Sequence, residues 1–321
     1  MTVKFLYIGL GIAFFIVLMV LLISFVCFRI AFFSKREKEV SDEFSLPDGE
    51  IYKAYKDVMQ KWADEVYGTE TERVEITSFD GLTLRGKFYE YKKGAPIELM
   101  LHGYRGTAER DLCGGVQRCF ALGRSALLVD QRGCGHSDGK IISFGIKEKR
   151  DCLDWIDFMI NHFGSDVKII LTGISMGAST VLMAAGEELP ENVVGVLADC
   201  GFTSAKEIMK KVIKDMNLPP NLSYPFVKLG ARLYGGFNIE ENSAKEAVKR
   251  IKVPVIFFHG ESDDFVPCDM SKENYKECAA PKKLITVAGA GHGLSFPVDE
   301  KNYLKEVADF FDNNGVPTKV L

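Results

Sequence analysis

Lys168-Ile169-Ile170-Leu171-Thr172-Gly173-Ile174-Ser175-Met176-Gly177-Ala178 decides how this chain is read. The run from Lys168 to Leu171 is apolar without alternation after its first residue, which marks a strand covered on both faces rather than one with a wet side. Gly173-Ile174-Ser175-Met176-Gly177 follows at once, and an apolar helix begins near Ser175. G-x-S-x-G at a strand-to-helix junction makes a sharp, strained turn that pushes the serine outward, while the flanking glycines remove side chains that would block it. The helix amino terminus behind the serine offers unpaired N–H groups and a positive potential. The plainer role for such a serine is to cap the helix.

Working outward, short apolar runs recur at Ile97–Leu101, Ala126–Val129, Val193–Ala198, Val253–Phe258 and Leu284–Val287, with helical stretches between them. Arg73–Phe79 and Leu82–Tyr91 read as a hairpin around Asp80-Gly81, a dipeptide that favours positive backbone angles. Together they predict an α/β fold with a mostly parallel eight-stranded sheet flanked by helices. The interruption at 202–250, broken by Pro219, Pro220, Pro225 and Gly230, reads as a short helical cap.

Composition narrows the classes. The 321 residues are 26% charged and 47% hydrophobic, values of a globular chain and not of a disordered or polytopic one. A formal charge of −4 leaves no basic excess to neutralise phosphates, so nucleic acid is not an expected partner. The eight cysteines show no C-x-x-C pair and no Cys/His grouping at zinc spacing, and no metal is expected.

A serine hydroxyl near neutral pH needs a base within hydrogen-bond reach and a third group to hold that base's tautomer. Of five histidines, His102 and His259 each precede a glycine at a strand end, His136 lies in a loop ahead of Ser175, and His162 ends a helical run. His292, in Gly289-Ala290-Gly291-His292-Gly293 after the last strand, comes late on a loop free to reach over the sheet and is the candidate base. Folds with this elbow carry the acid between serine and histidine in sequence. In His259-Gly260-Glu261-Ser262-Asp263-Asp264-Phe265-Val266-Pro267 the H-G-x-x-D-x-x-V-P spacing selects Asp263, with Asp264 as the neighbouring alternative. An oxyanion would take the backbone N–H of Met176 and one from Leu101-His102-Gly103-Tyr104-Arg105-Gly106, for which Tyr104 is chosen.

Five signals in order, the Leu101–Gly106 loop, Asp130-Gln131-Arg132-Gly133-Cys134-Gly135-His136-Ser137, and the Ser175, Asp263 and His292 loops, make residues 72–314 resemble the α/β-hydrolases. Within them the chain is similar to bacterial serine hydrolases of the serine aminopeptidase-like and cinnamoyl-esterase-like groups, several of which have an amino-terminal membrane helix. Cys134 stands where histidine is common in the D-x-R-G-x-G-x-S loop, so no catalytic role is assigned to His136. The resemblance implies a serine hydrolase acting on a small-molecule acyl substrate, a carboxylic ester first and a peptide or thioester otherwise, without metal or organic cofactor. A non-catalytic membrane-anchored scaffold is the alternative from another class.

Ahead of this region, Phe5–Phe28 are 24 uncharged residues between Lys4 and Arg29, longer as a helix than a hydrocarbon core of about 30 Å. They predict a transmembrane helix over 5–33, too long for the apolar part of a signal peptide. Arg29, Lys35, Arg36 and Lys38 outnumber Lys4 and predict a cytoplasmic hydrolase domain. A linker and amphipathic helix fill 34–71, with Ile51, Tyr55, Val58, Trp62 and Val66 on one face that packs on the main domain, which takes 72–321.

Overall fold

A computed structural model describes residues 2–34, 49–112, 114–316 and 318; the linker, with Lys35, Arg36 and Lys38, otherwise lies outside them. The eight expected strands are β1 (Glu72–Thr77), β2 (Thr83–Tyr89), β3 (Ile97–Leu101), β4 (Ser125–Val129), β5 (Ile169–Ile174), β6 (Val193–Asp199), β7 (Val255–Gly260) and β8 (Lys282–Val287). They form one sheet in the order β1-β2-β4-β3-β5-β6-β7-β8, antiparallel at β1/β2 and β2/β4 and parallel from there on. This is the α/β-hydrolase fold.

Both faces of the sheet are covered, which is why its strands do not alternate. Leu171, Val196 and Phe257 pack on one side with Trp155 of α5 (Glu148–Phe163) and Val181 and Leu182 of α6 (Met176–Ala185). Their chain neighbours Ile170, Leu197 and Ile256 pack on the other with Val307 and Phe311 of α12 (Glu300–Asn313) and Trp62 of α2 (Lys56–Tyr67). Parallel strands place their carboxyl ends along one rim, and the loops there gather the candidate residues.

The helix expected from Ile51 begins instead as a 3₁₀ turn, Glu50–Tyr55, before α2. No side chain caps it at Gly49 and nothing in the turn is buried, so the tighter i→i+3 geometry satisfies the first N–H groups. Trp62 of α2 stacks on Phe296 at 5.1 Å, so this segment is part of the body.

Between β6 and β7 lie α7 (Ala205–Asp215), α8 (Pro220–Tyr234) and α9 (Ala244–Ala247). Pro219 and Pro220 start α8 because the first helical turn needs no N–H from them. Ala244 and Ala247 of α9 bury into the sheet-side core with α6, whereas α7 and α8 pack in a separate cluster with Phe144 and Met176.

Helix α1 (Thr2–Ala31) is long and apolar enough to cross a membrane, and its side chains from Val3 to Met19 are exposed on every side. Its far end is not detached. Phe28 and Phe32 are buried with Phe144, Val227 and Phe237, the Phe32 ring meeting those of Phe144 and Phe237 edge-on at 5.9 and 5.3 Å. Burying each phenylalanine contributes on the order of 2–3 kcal/mol. Gly230 of α8 lets the helices touch: a Cβ there would lie 2.4 Å from the Ser24 carbonyl oxygen.

Candidate active site

Ser175 sits at the junction of β5 and α6 with φ +56° and ψ −118°, a conformation that costs of order 1–3 kcal/mol. The bend is held by the Ser175 N–H donating to the Asp199 carbonyl at 2.8 Å and by two glycines with no room for a side chain. A Cβ on Gly173 would fall 2.3 Å from the Gly177 carbonyl carbon, and one on Gly177 2.1 Å from the Leu101 oxygen. The elbow is thus wedged against the end of β3.

His292 arrives from the loop after β8, turned by Gly289 and Gly293, both at positive φ. Its Nε2 lies 2.9 Å from Ser175 Oγ and its Nδ1 2.6 Å from Asp263 Oδ2. The other Asp263 oxygen accepts the Phe265 and Val266 amides at 3.0 and 2.8 Å. Burial alone would raise the Asp263 carboxyl, but hydrogen bonds from His259 and His292 outweigh it and hold the group well below the carboxylate range. Asp264 is exposed beside it and offers only its backbone carbonyl, to Lys211. The structure brings Ser175, His292 and Asp263 into one line and leaves Asp264 out.

The Leu101–Gly106 loop passes beside Ser175, with Gly103 close enough that a Cβ would sit 3.5 Å from the serine's own. The Gly103 amide donates to Asp111 Oδ2 at 3.0 Å and is engaged, whereas among the described residues the Tyr104 and Met176 amides have no acceptor. Buried His102 braces the loop: its Nε2 accepts from the Gln131 amide at 2.9 Å and its carbonyl from the Gln131 side chain at 2.6 Å. Asp130 ties the next turn, accepting the Ala108 and His136 amides at 2.9 Å each. The Asp130–Ser137 stretch is therefore scaffolding for the loop, and His162 lies apart, paired with Glu72 at 3.1 Å.

Three contacts have no counterpart in the sequence reading. Tyr52 donates its phenol to the His292 carbonyl at 3.1 Å, and burial pushes that phenol up to about 12, so it stays a donor. His259 Nε2 lies 3.2 Å from Asp263 Oδ2 and 2.8 Å from the Val266 carbonyl, giving the carboxylate a second imidazole; its place four residues ahead of Asp263 in the same motif was the available signal. Tyr104 and Arg105 grip the end of α1: the Tyr104 phenol donates to the Ala31 carbonyl at 2.8 Å, and the Arg105 guanidinium to Ile30 and Phe33 at 2.7 and 3.1 Å. No spacing signals a contact across 240 or 70 residues.

A cavity of about 460 Å³ opens at Ser175 and His292, lined by apolar Met59, Met100, Leu197 and Phe296, by Tyr52, Tyr104 and Phe265, and by charged Arg110, Asp111 and Asp199. Among the described residues one group has metal-ligand spacing, Cys200, Asp263 and His292, with ligand atoms within 4.8 Å of one another. It fits a metal poorly, since Asp263 and His292 already direct their facing atoms at each other.

Comparison with known proteins agrees with this fold. A family model of the alpha/beta hydrolase fold matches residues 99–233, and one of serine hydrolase (FSH1) matches residues 197–299. An uncharacterized protein of Bacillus subtilis, YqkD, is 30% identical over 193 residues, 60% of this chain and 63% of that protein's length. Protein bem46 of Schizosaccharomyces pombe is 25% identical over 266 residues, 78% of this chain and 80% of that one. Among solved structures, an esterase of Pyrococcus furiosus superposes with a TM-score of 0.63 at 22% identity, covering 87% of this chain and 99% of its own, a likeness of fold. The chain thus has the alpha/beta hydrolase fold and is similar to the serine hydrolases built on it.

Proposed function

We propose that this chain is a membrane-anchored serine hydrolase that cleaves a carboxylic ester through an acyl-enzyme. The observation that carries the proposal is the hydrogen-bonded line from Ser175 Oγ through both His292 nitrogens to Asp263, at the mouth of a cavity. His292 takes the proton as Ser175 Oγ bonds to the ester carbonyl carbon, and Asp263 stabilises the imidazolium. The amides of Met176 and Tyr104 hold the tetrahedral oxyanion, worth about 3–4 kcal/mol per donor in comparable sites. As the intermediate collapses, His292 returns the proton to the departing alcohol. It then removes a proton from water as the water oxygen attacks the acyl carbon, and returns that proton to Ser175 Oγ as the C–O bond breaks and the acid is freed.

The mixed cavity lining, in which Met59, Met100, Leu197 and Phe296 stand beside Arg110, Asp111 and Asp199, and the esterase activity named for the Pyrococcus furiosus protein, support an ester of modest size. Peptide and thioester bonds would use the same groups. The apolar length of α1 supports a single membrane span, and the basic residues on its carboxyl side support a cytoplasmic hydrolase body. A fluorophosphonate probe tests the core of this reading. Prompt labelling that disappears in Ser175→Ala is the expected result, and folded wild-type protein that resists labelling would favour a non-catalytic scaffold. p-Nitrophenyl esters of rising chain length, run beside a peptide and a thioester substrate, rank the bond types. Protease digestion of the body in sealed inside-out vesicles, with protection in right-side-out ones, tests the orientation.

A further inference from the structure

The packing of α8 on α1 fixes where a bilayer would meet the body. A hydrocarbon core of about 30 Å takes about 20 helical residues, so a span starting after Lys4 reaches from Phe5 to about Ser24. The carboxyl end of α8 lies along this last stretch. The Tyr234 phenol donates to the Leu21 carbonyl at 3.0 Å, its ring meets those of Phe25 and Phe28 at 5.2 and 5.9 Å, and Gly230 abuts Ser24 and Phe28. Val227, a turn earlier, is buried with Phe28 and Phe32. Helix α8 thus runs antiparallel to α1, its last turn toward the membrane and its first turn away.

We propose that this last turn of α8, Arg232-Leu233-Tyr234, is a second membrane contact that inserts into the bilayer interface beside α1, resting on the reading that α1 spans. Leu233 is 51% exposed, and Arg232 beside it is the cation of this last turn, Lys228 a turn earlier being paired with Glu240. An apolar side chain at the acyl boundary with a guanidinium one residue before it is the pattern of an interfacial helix end. Arg29 stacks on Phe33 at 3.6 Å and Arg105 binds the Ile30 carbonyl, so further guanidinium groups lie on the headgroup side of that turn. Ile30 is six residues past Ser24, about 9 Å along the helix, just past headgroup layers of about 5–8 Å on each side. The loop carrying Tyr104 therefore faces the lipid surface, and the substrate class that suits the site is an amphiphile whose acyl chain is supplied from the bilayer.

Depth-dependent quenching by brominated lipids tests this on the full chain in phosphatidylcholine/phosphatidylglycerol vesicles. Trp62 and Trp155, the two native tryptophans, are buried and supply a constant background. Three exposed positions are replaced singly: Phe15→Trp near the middle of the span, Leu233→Trp, and Leu222→Trp about 16 Å back along α8. Phe15→Trp is expected to be quenched most by bromines deep in the acyl chain. Leu233→Trp should lose roughly half its added emission to shallow bromines and less to deep ones, and Leu222→Trp under about a tenth to either. Quenching at Phe15 with none at Leu233 would leave the span intact and overturn the second contact. Equal quenching at Leu222 and Leu233 would overturn the end-on arrangement. No quenching at Phe15 would remove the span itself, and the proposal with it.

Discussion

Replacing Asp263 by asparagine separates the acid from its neighbour Asp264 in a way the hydrogen bonds determine. Two amides, of Phe265 and Val266, point at Asp263 Oδ1, so an asparagine there must turn its carbonyl oxygen toward them. Its NH₂ group then faces His292 Nδ1, where the carboxylate oxygen stood at 2.6 Å. Flipping the amide would set a donor against two donors, at about 1–3 kcal/mol for each amide left unsatisfied. The imidazole responds by moving its own proton to Nε2, the atom that faces Ser175 Oγ at 2.9 Å, and can no longer accept the serine proton. Loss of the right tautomer costs about 10⁴ in kcat in a comparable triad, close to 5.5 kcal/mol. The assay is kcat/KM on p-nitrophenyl butyrate and the rate of fluorophosphonate labelling, with thermal denaturation confirming that each variant is folded. Asp264→Asn, whose exposed side chain meets neither histidine, should stay within about twofold of wild type. A folded Asp263→Asn enzyme retaining a tenth of its activity, or a larger loss at Asp264, would refute the reasoning.

Gly177→Ala puts a methyl group 2.1 Å from the Leu101 oxygen, and the elbow must shift; we expect labelling at Ser175 to slow by about 100-fold, and a wild-type rate would show the wedge to be unnecessary. Arg105→Ala leaves the Ile30 and Phe33 carbonyls at the end of α1 without their guanidinium, and kcat should fall about tenfold with KM nearly unchanged and partial recovery in Arg105→Lys; a change in KM alone would detach this contact from the oxyanion loop. Hydrogen bonding to Arg132 lowers the Asp80 carboxyl to about 2, so its stabilisation is complete above the unfolded carboxylate pKa near 4 and is lost as pH falls toward 2. Discounted for its partial exposure, that is about 1–2 kcal/mol. Urea midpoints of wild type and Asp80→Asn should therefore differ at pH 7, draw closer by pH 3 and converge only as pH falls below about 2, and a gap that widens in acid would contradict the sign.

Much of this was legible in the residues. Doubly buried strands carry an unbroken apolar signature, and the elbow is local: Gly173, Ser175 and Gly177 must stand together because the turn leaves no space for other side chains. Asp263 and His292 were readable because each lies in a short loop directly after a strand of a parallel sheet, which puts them on the same rim as Ser175. Helix α1 was equally plain, since a long uncharged run needs no partner to be recognised.

What the sequence by itself determined, then, are features whose cause is local or periodic: the strands, the strained serine, the loop motifs and the apolar helix. Only tertiary structure decided that Tyr52 would hold the His292 loop, that His259 would share Asp263, and that Tyr104 and Arg105 would seize the last carbonyls of α1. All but one of those contacts join residues far apart in the chain, which leaves no period or motif, and His259, though inside the Asp263 motif, depends on which way its ring points. The packing of Gly230 on Ser24 is of the same kind, and it makes the end of the apolar helix part of the body. Helical ends with unpaired carbonyls must find donors, but which loop supplies them is settled only when the chain has folded around them.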